Sequence, residues 1–162
     1  MKKIGLISDT HGYWDKKFEH YFQDCDEVWH AGDIGSSFVA DKFEELKPFR
    51  AVYGNIDGTD IRLRYPEINR FLIEDVDVII KHIGGYPGNY DRSIKNLLFK
   101  SPPKLFISGH SHILKVMYDK RLGCLHINPG AGGIYGFHNV RTIVKFVIED
   151  KSFKDLEVIE LK

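Results

Sequence analysis

The stretch ISDTHG, residues 7–12, decides how the rest of the chain is read. It sets Asp9 and His11 two residues apart, directly behind an apolar run over residues 4–7. In an extended backbone residues i and i+2 point to the same side, so a carboxylate and an imidazole leave one strand end together. Alone such a pair is weak, because most Asp-x-His pairs are solvated loop residues. Its meaning rests on whether later strands end in matching donors.

Residues 15–22 place Phe18, Tyr21 and Phe22 at helical spacing, with Asp15 as the expected N-cap. Residues 27–30 read as a brief strand running into Gly32 and Asp33. Ser36 or Ser37 caps a second helix with Phe38, Val39, Phe43 and Leu46 on its apolar face, and Pro48 lies past its end. Residues 49–53 form the next strand, ending in the turn-rich Gly54, Asn55, Ile56, Asp57 and Gly58. Residues 68–73 and 76–81 then read as a hairpin around Glu74 and Asp75, and its second arm ends at His82. GGYPGNY, residues 84–90, carries too much glycine and proline for regular structure and is expected as a loop. Asp91 caps a helix through Phe99, Pro102 and Pro103 break the chain, and residues 105–108 form a strand delivering Gly109, His110, Ser111 and His112. The remainder is β-rich over 113–118, 125–127, 141–148 and 153–161, around the glycine-rich NPGAGGIYG. No repeat or linker interrupts the 162 residues, so a single domain is expected. Helices and strands alternating first and strands dominating later predict an α/β fold of two packed mixed β-sheets flanked by helices.

Composition narrows the function. The chain is 43% hydrophobic and 28% charged, which excludes disordered and fibrous classes. With 23 basic against 23 acidic residues it lacks the footprint of a protein that clamps long nucleic acid. No apolar run approaches the roughly 18 residues a membrane span needs, and no signal segment is evident, so no membrane partner and a cytoplasmic location are expected. Cys25 and Cys124 lack CxxC spacing and are read as small buried thiols.

Five strands, in order, end in Asp9/His11, Asp33, Asn55, His82 and His110/His112. Ligands of open α/β sheets bind beyond the carboxyl ends of the strands, so these residues are expected to meet at one edge of the sheet. Two carboxylates, one amide and four imidazoles suit Mn, Fe, Zn, Ni or Co better than Ca or Cu(I). Seven donors exceed one tetrahedral ion and fill two ions about 3.5–4 Å apart that share a carboxylate.

The series DTH, GD, GNID, a histidine behind an apolar strand, and GHSH resembles the calcineurin-like metallophosphoesterase family, in its compact bacterial and archaeal phosphodiesterase branch. The resemblance implies a four-layer αββα sandwich. It implies one metal on Asp9, His11, Asp33 and His112, and a second on Asp33, Asn55, His82 and His110, with Asp33 as the bridge. It suggests two divalent ions, Mn2+ first, with Ni2+, Fe2+ or Zn2+ as alternatives. The implied reaction is hydrolysis of small or activated phosphate diesters by a metal-bridging hydroxide, with Asp33, Asn55, His110 and Asp57 as catalytic residues. Two ions against two carboxylates and a hydroxide leave a formal charge of about +1, which draws an anionic phosphoryl group.

Two departures stand out. Larger family members read GNHE where this chain has Ile56 and Asp57, so the usual proton donor to the leaving group is missing and water, substrate or Asp57 is left to supply it. The family often reads His-Gly-His where this chain has His82, Ile83 and Gly84. Tyr13, Trp14, Tyr86, Asn89, Tyr90 and Arg92 are expected in loops over the site, where aromatic faces stack on a base or aryl group, and Asn128 of the NPG loop is expected beside the metals. His30 is read as a buried brace, His20, His126 and His138 as outside the ligand set, and Arg62, Arg64 and Arg70 as a solvated face. The expected partner is a small phosphate ester, and compact relatives extend the expectation to a homo-oligomer. Competing functions are a phosphomonoesterase or nucleotidase, and a non-catalytic scaffold, since a eukaryotic retromer subunit resembles the same branch.

Overall fold

The computed structural model describes residues 1–162. Its first part runs β1 (Lys2–Ile7), α1 (Lys17–Phe22), β2 (Glu27–His30), α2 (Ser37–Leu46), β3 (Phe49–Ala51) and α3 (Thr59–Arg64). A hairpin of β4 (Ile68–Ile73) and β5 (Val76–Lys81) leads to β6 (Gly85–Tyr86), β7 (Asn89–Tyr90) and α4 (Arg92–Lys100). Five strands close the chain: β8 (Leu105–Ile107), β9 (Leu114–Asp119), β10 (Cys124–Pro129), β11 (Arg141–Glu149) and β12 (Ser152–Leu161).

One sheet has the order β12-β11-β1-β2-β3 and the other β4-β5-β8-β10-β9. Each has three parallel strands at its heart, β1-β2-β3 and β5-β8-β10, with antiparallel strands added outside. Period-2 alternation decides where each side chain goes. Ile4 and Leu6 of β1 meet Val76, Val78 and Ile80 of β5 and Leu105 and Ile107 of β8 between the sheets, around fully buried Trp29. Ile7 faces the other way, under Phe18, Phe22, Val39 and Phe43 of α1 and α2. Ile79 and Phe106 likewise face outward, under Ile94 and Leu98 of α4. The layers are therefore α, β, β, α, as expected. No helix is long and apolar enough to cross a membrane.

Several local expectations are corrected. α1 starts at Lys17 behind a helical Lys16, and Asp15 just before them accepts from the Lys17 N–H at 2.9 Å, a capping contact, and from Arg141 at 3.0 Å. The stretch expected as a loop contains the short β6-β7 hairpin. α3 shows no period in the sequence, because only Ile61 of its six residues is buried. The three arginines are exposed, as expected, but each is engaged by its own partner. Arg62 stacks 4.5 Å over Tyr53, Arg64 pairs with Asp41 at 2.9 Å, and Arg70 pairs with Asp77 at 2.6 Å. Ser36 and Asp91 do cap α2 and α4, accepting from Val39 N–H and Ser93 N–H.

Candidate metal centre

The parallel strands of both sheets turn their carboxyl ends to one rim, and the seven expected ligands gather there. This corrects the expected edge of a single sheet: Asp9, His11, Asp33 and Asn55 follow strands of one sheet, and His82, His110 and His112 follow strands of the other. The His110 N–H donates to Asp9 Oδ2 at 3.1 Å, and His82 Nδ1 lies 2.7 Å from the Ala31 carbonyl, so the rim is laced across the two sheets.

The backbone turns sharply at these positions. Asp9, His11, Asp33, His110 and His112 all have φ between 45° and 70°, the left-handed region. Asp and His tolerate it better than most residues, but each such residue costs about 1–3 kcal/mol. Five strained residues in one cluster aim their side chains off the strand ends and inward.

Two groups result, Asp9/His11/His112 and Asp33/His82/His110, with the donor atoms of each within 4.8 Å of one another. His112 Nε2 lies 3.1 Å and His11 Nε2 3.6 Å from Asp9 Oδ1. Asp33 Oδ2 stands between the groups, 3.4 Å from His11 Nε2 and 3.1 Å from His82 Nε2. Asn55 Oδ1 lies 3.1 Å from both His82 Nε2 and His110 Nδ1. Asp9 Oδ1 and His11 Nε2 are buried without a hydrogen-bond partner. Buried polar atoms are usually paired, so two orphaned ligand atoms facing the same space fit a divalent cation, and the mixed oxygen and nitrogen set fits a first-row transition metal.

Electrostatics point the same way. Burial raises the Asp9 carboxyl, but the His11 and His112 imidazoles, the His82 charge and the Ser8 hydroxyl outweigh it and hold it well below the usual range. Asp33 is also lowered, against its burial, by His82 and the Ile56 N–H. Asp9 and Asp33 raise His11 against its burial and the His82 charge, and Asp33 and Asp9 raise deeply buried His82 against its burial. The rim is thus built around two ionised carboxylates.

Its supports come from the backbone. Ser8 Oγ donates to Asp9 Oδ2 at 2.6 Å, and the Ile56 N–H to Asp33 Oδ1 at 3.0 Å. A Cβ on Gly54 would lie 2.0 Å from Asp33 Oδ1, so only glycine lets β3 close over this carboxylate. Fully buried His30 accepts from the Gly32 N–H at 3.0 Å, and its Nε2 lies 3.0 Å from Thr10 Oγ1. Burial pushes His30 down to about 3, leaving a neutral brace.

Among the other expected site residues, two are corrected. Asp57 is not placed to protonate a leaving group: its carboxylate accepts from the Ile34, Gly35 and Gly54 N–H groups at 3.2, 2.8 and 2.8 Å, clamping the β2 and β3 loops together. Trp14 is part-buried against the helix-side core rather than lining either cleft, its indole T-shaped to Phe18 and Phe43 at 5.3 and 4.9 Å. Tyr13 carries the Arg141 guanidinium 5.1 Å from its ring centre. Tyr86, Asn89, Arg92, His110, Lys115 and Asn128 line a cleft of about 480 Å³, with the Lys115 ammonium 3.6 Å from the Tyr86 ring centre. Asn128 braces the GHSH loop by donating to the Gly109 carbonyl at 3.0 Å. Tyr53, Asn55, Arg62, Lys81 and His82 line a smaller cleft of about 200 Å³, whose two cations no spacing in the chain connects. His138, read as outside the ligand set, touches it, with its Nδ1 3.0 Å from His112 Nδ1. Burial pushes Cys25 up to about 11 and Cys124 to about 12, leaving inert thiols.

Known proteins share this arrangement of strands. The description of a calcineurin-like phosphoesterase superfamily domain matches residues 1–151. A phosphodiesterase of Methanocaldococcus jannaschii is 33% identical over 144 residues, covering 79% of this chain and 82% of that protein. The solved structure of an archaeal phosphodiesterase superposes with a TM-score of 0.74 at 28% identity, covering 98% of this chain and 99% of that one. A Vps29 from Entamoeba histolytica shares the fold, with a TM-score of 0.72 at 17% identity over 99% of both chains. The chain belongs to the calcineurin-like phosphoesterase superfamily and is a metal-dependent phosphoric ester hydrolase.

Proposed function

We propose that this chain hydrolyses small or activated phosphate diesters at a centre of two divalent cations. Asp9, His11, Asp33 and His112 hold one and Asp33, Asn55, His82 and His110 the other, with Mn2+ as the first candidate and Ni2+, Fe2+ or Zn2+ as alternatives. The observation that carries the reading is the place of Asp33 Oδ2, 3.4 Å from His11 Nε2 and 3.1 Å from His82 Nε2, where one carboxylate serves both groups. When bound, the cations supply Lewis acidity toward the phosphoryl oxygens and lower the pKa of water from about 15.7 toward 7, which yields the hydroxide nucleophile.

The chain's own residues do the rest. Ser8 and the Ile56 N–H keep Asp9 and Asp33 oriented, and Asn55 and His110 border the clefts where the ester arms lie. Tyr86, Asn89 and Lys115 supply a stacking face and polar contacts for one arm. Ile56 stands where larger relatives have an imidazole, and Asp57 is turned into backbone, so no side chain of this loop protonates the departing alkoxide. Esters with acidic leaving groups are therefore the better substrates. One domain in a reducing cytoplasm accords with two free buried cysteines. Edge strand β9, with Val116 and Tyr118 exposed, supports self-association into a homo-oligomer.

The deciding experiment follows hydrolysis of bis(p-nitrophenyl) phosphate with Mn2+, with and without chelator, beside a dialkyl diester and p-nitrophenyl phosphate. Turnover that needs the metal and falls from the nitrophenyl diester to the dialkyl ester is expected. Faster turnover of the monoester would assign a phosphomonoesterase instead. Absence of both metal uptake and turnover would leave an interaction scaffold.

A further inference from the structure

We infer that His138 is a positioning residue that fixes which nitrogen of His112 is free to meet a cation; this rests on the ligand role proposed for His112. His138 Nε2 lies 2.7 Å from the Gly133 carbonyl oxygen. A carbonyl oxygen only accepts, so Nε2 carries the hydrogen, and in the uncharged ring Nδ1 is then an acceptor. Facing that acceptor at 3.0 Å is His112 Nδ1, which must donate. His112 Nε2 is left with its lone pair, 3.1 Å from Asp9 Oδ1 and within the Asp9/His11 group. The rings meet edge to face at 73°, with centroids 4.9 Å apart, which suits an N–H of one pointing at a nitrogen of the other.

The contacts close a circuit. The Gly133 N–H donates to the Asp9 carbonyl at 3.1 Å, and the Gly132 N–H to the Ser8 carbonyl at 2.8 Å, so the loop that anchors His138 is itself tied to the end of β1. Gly136, at φ +138°, lets the chain pass over the pair: a Cβ there would lie 2.4 Å from His112 Nδ1 and 3.0 Å from His138 Nδ1. An imidazole that binds metal usually gives its other N–H to a carbonyl or carboxylate, which sets the tautomer. His82 follows that habit, with Nδ1 on the Ala31 carbonyl at 2.7 Å. His112 has a side chain in that place, which substitution removes without touching the backbone.

The test titrates Mn2+ into the full chain by calorimetry and counts bound ions by electron paramagnetic resonance. Wild type is expected to take two ions. His138→Ala should weaken one of them about 10–100-fold, the range for removing such a hydrogen-bond partner, and leave the other unchanged. His138→Asn, whose Oδ1 can accept where Nδ1 did, should restore most of that loss. Gly136→Ala, pushing a methyl against the His112 ring, should weaken the same ion with His138 intact. Equal affinities in wild type and His138→Ala would overturn the positioning role alone, whereas no uptake by wild type would overturn the metal reading beneath it. Equal weakening of both ions, with a lower melting temperature of the metal-free chain and no rescue by asparagine, would reduce His138 to a structural contact.

Discussion

The group of Asp9, His11 and His112 stands apart from both clefts, although His11 and His112 are part-exposed, and the group of Asp33, His82 and His110 opens onto them through His110 and His82. Asp9 is fully buried, His112 is covered by His138 and its loop, and no residue of the first group lines either cleft. The second group borders both, the larger through His110 and the smaller through His82 together with Asn55. The two sets of donors are chemically alike, so their surroundings separate their work. The group away from the clefts suits an ion held in place, and the group beside them is where a substrate arm can reach.

The largest expected effect comes from the residue common to both. Asp33→Asn should lower kcat/KM for bis(p-nitrophenyl) phosphate by about 10²–10³-fold, the scale for losing a preorganised charge contact at a reacting centre. Near-full activity would break both the comparison and the proposed centre. Tyr86→Ala tests the open side. An aromatic contact of about 0.5–1.5 kcal/mol predicts a KM increase of roughly 2- to 10-fold for the nitrophenyl diester, with little change in ion binding. Weakened ion binding in that variant would mean that the cleft and the donor groups are not separable.

The smallest effect lies far from the rim. Lys145 and Lys3 hold the Asp24 carboxyl down to about 2 from 3.8, against a small burial cost. A carboxyl lowered in the folded state adds stability that is complete above its unfolded value and disappears as pH falls through the folded one. Asp24→Asn should therefore melt below wild type at neutral pH, with the gap closing between roughly pH 4 and about 2. Asp24 is half-exposed, so the gap should be small, and ion binding at both groups should not move.

Much of the site could be read in the chain, because each donor follows an apolar run that had to be a strand: Asp9 after Ile4–Ile7, His82 after Val76–Lys81, and His110 after Leu105–Ile107. Ordered strand ends made the convergence predictable before any distance was known. The turn at Glu74 and Asp75 was equally plain. What could not be read depends on paths through space. Trp14 follows His11 and Gly12, both at positive φ, and that twist rather than any local pattern sends the indole toward Phe43. His138 sits in a glycine-rich loop whose course is set by Gly132 and Gly133 bonding to the β1 end. Asp57 reads as an acid because it stands where relatives have a glutamate, but its role comes from the Gly54 N–H of its own loop and from the Ile34 and Gly35 N–H groups more than twenty residues away in the chain.

The pairing of β1 with β11 governs the order in which this molecule can become itself. Lys2 registers with Ile148 and Leu6 with Val144, so one flank of the strand that leads to Asp9 and His11 is supplied by a segment synthesised about 140 residues later. At about 5–20 residues per second, the first donors wait several seconds beside an unpaired strand edge before their sheet can be completed. Such distant pairings also place folding in the slower range, from milliseconds to seconds. The nascent chain is therefore most exposed to wrong partners while it already carries Asp9 and His11 but still lacks β11.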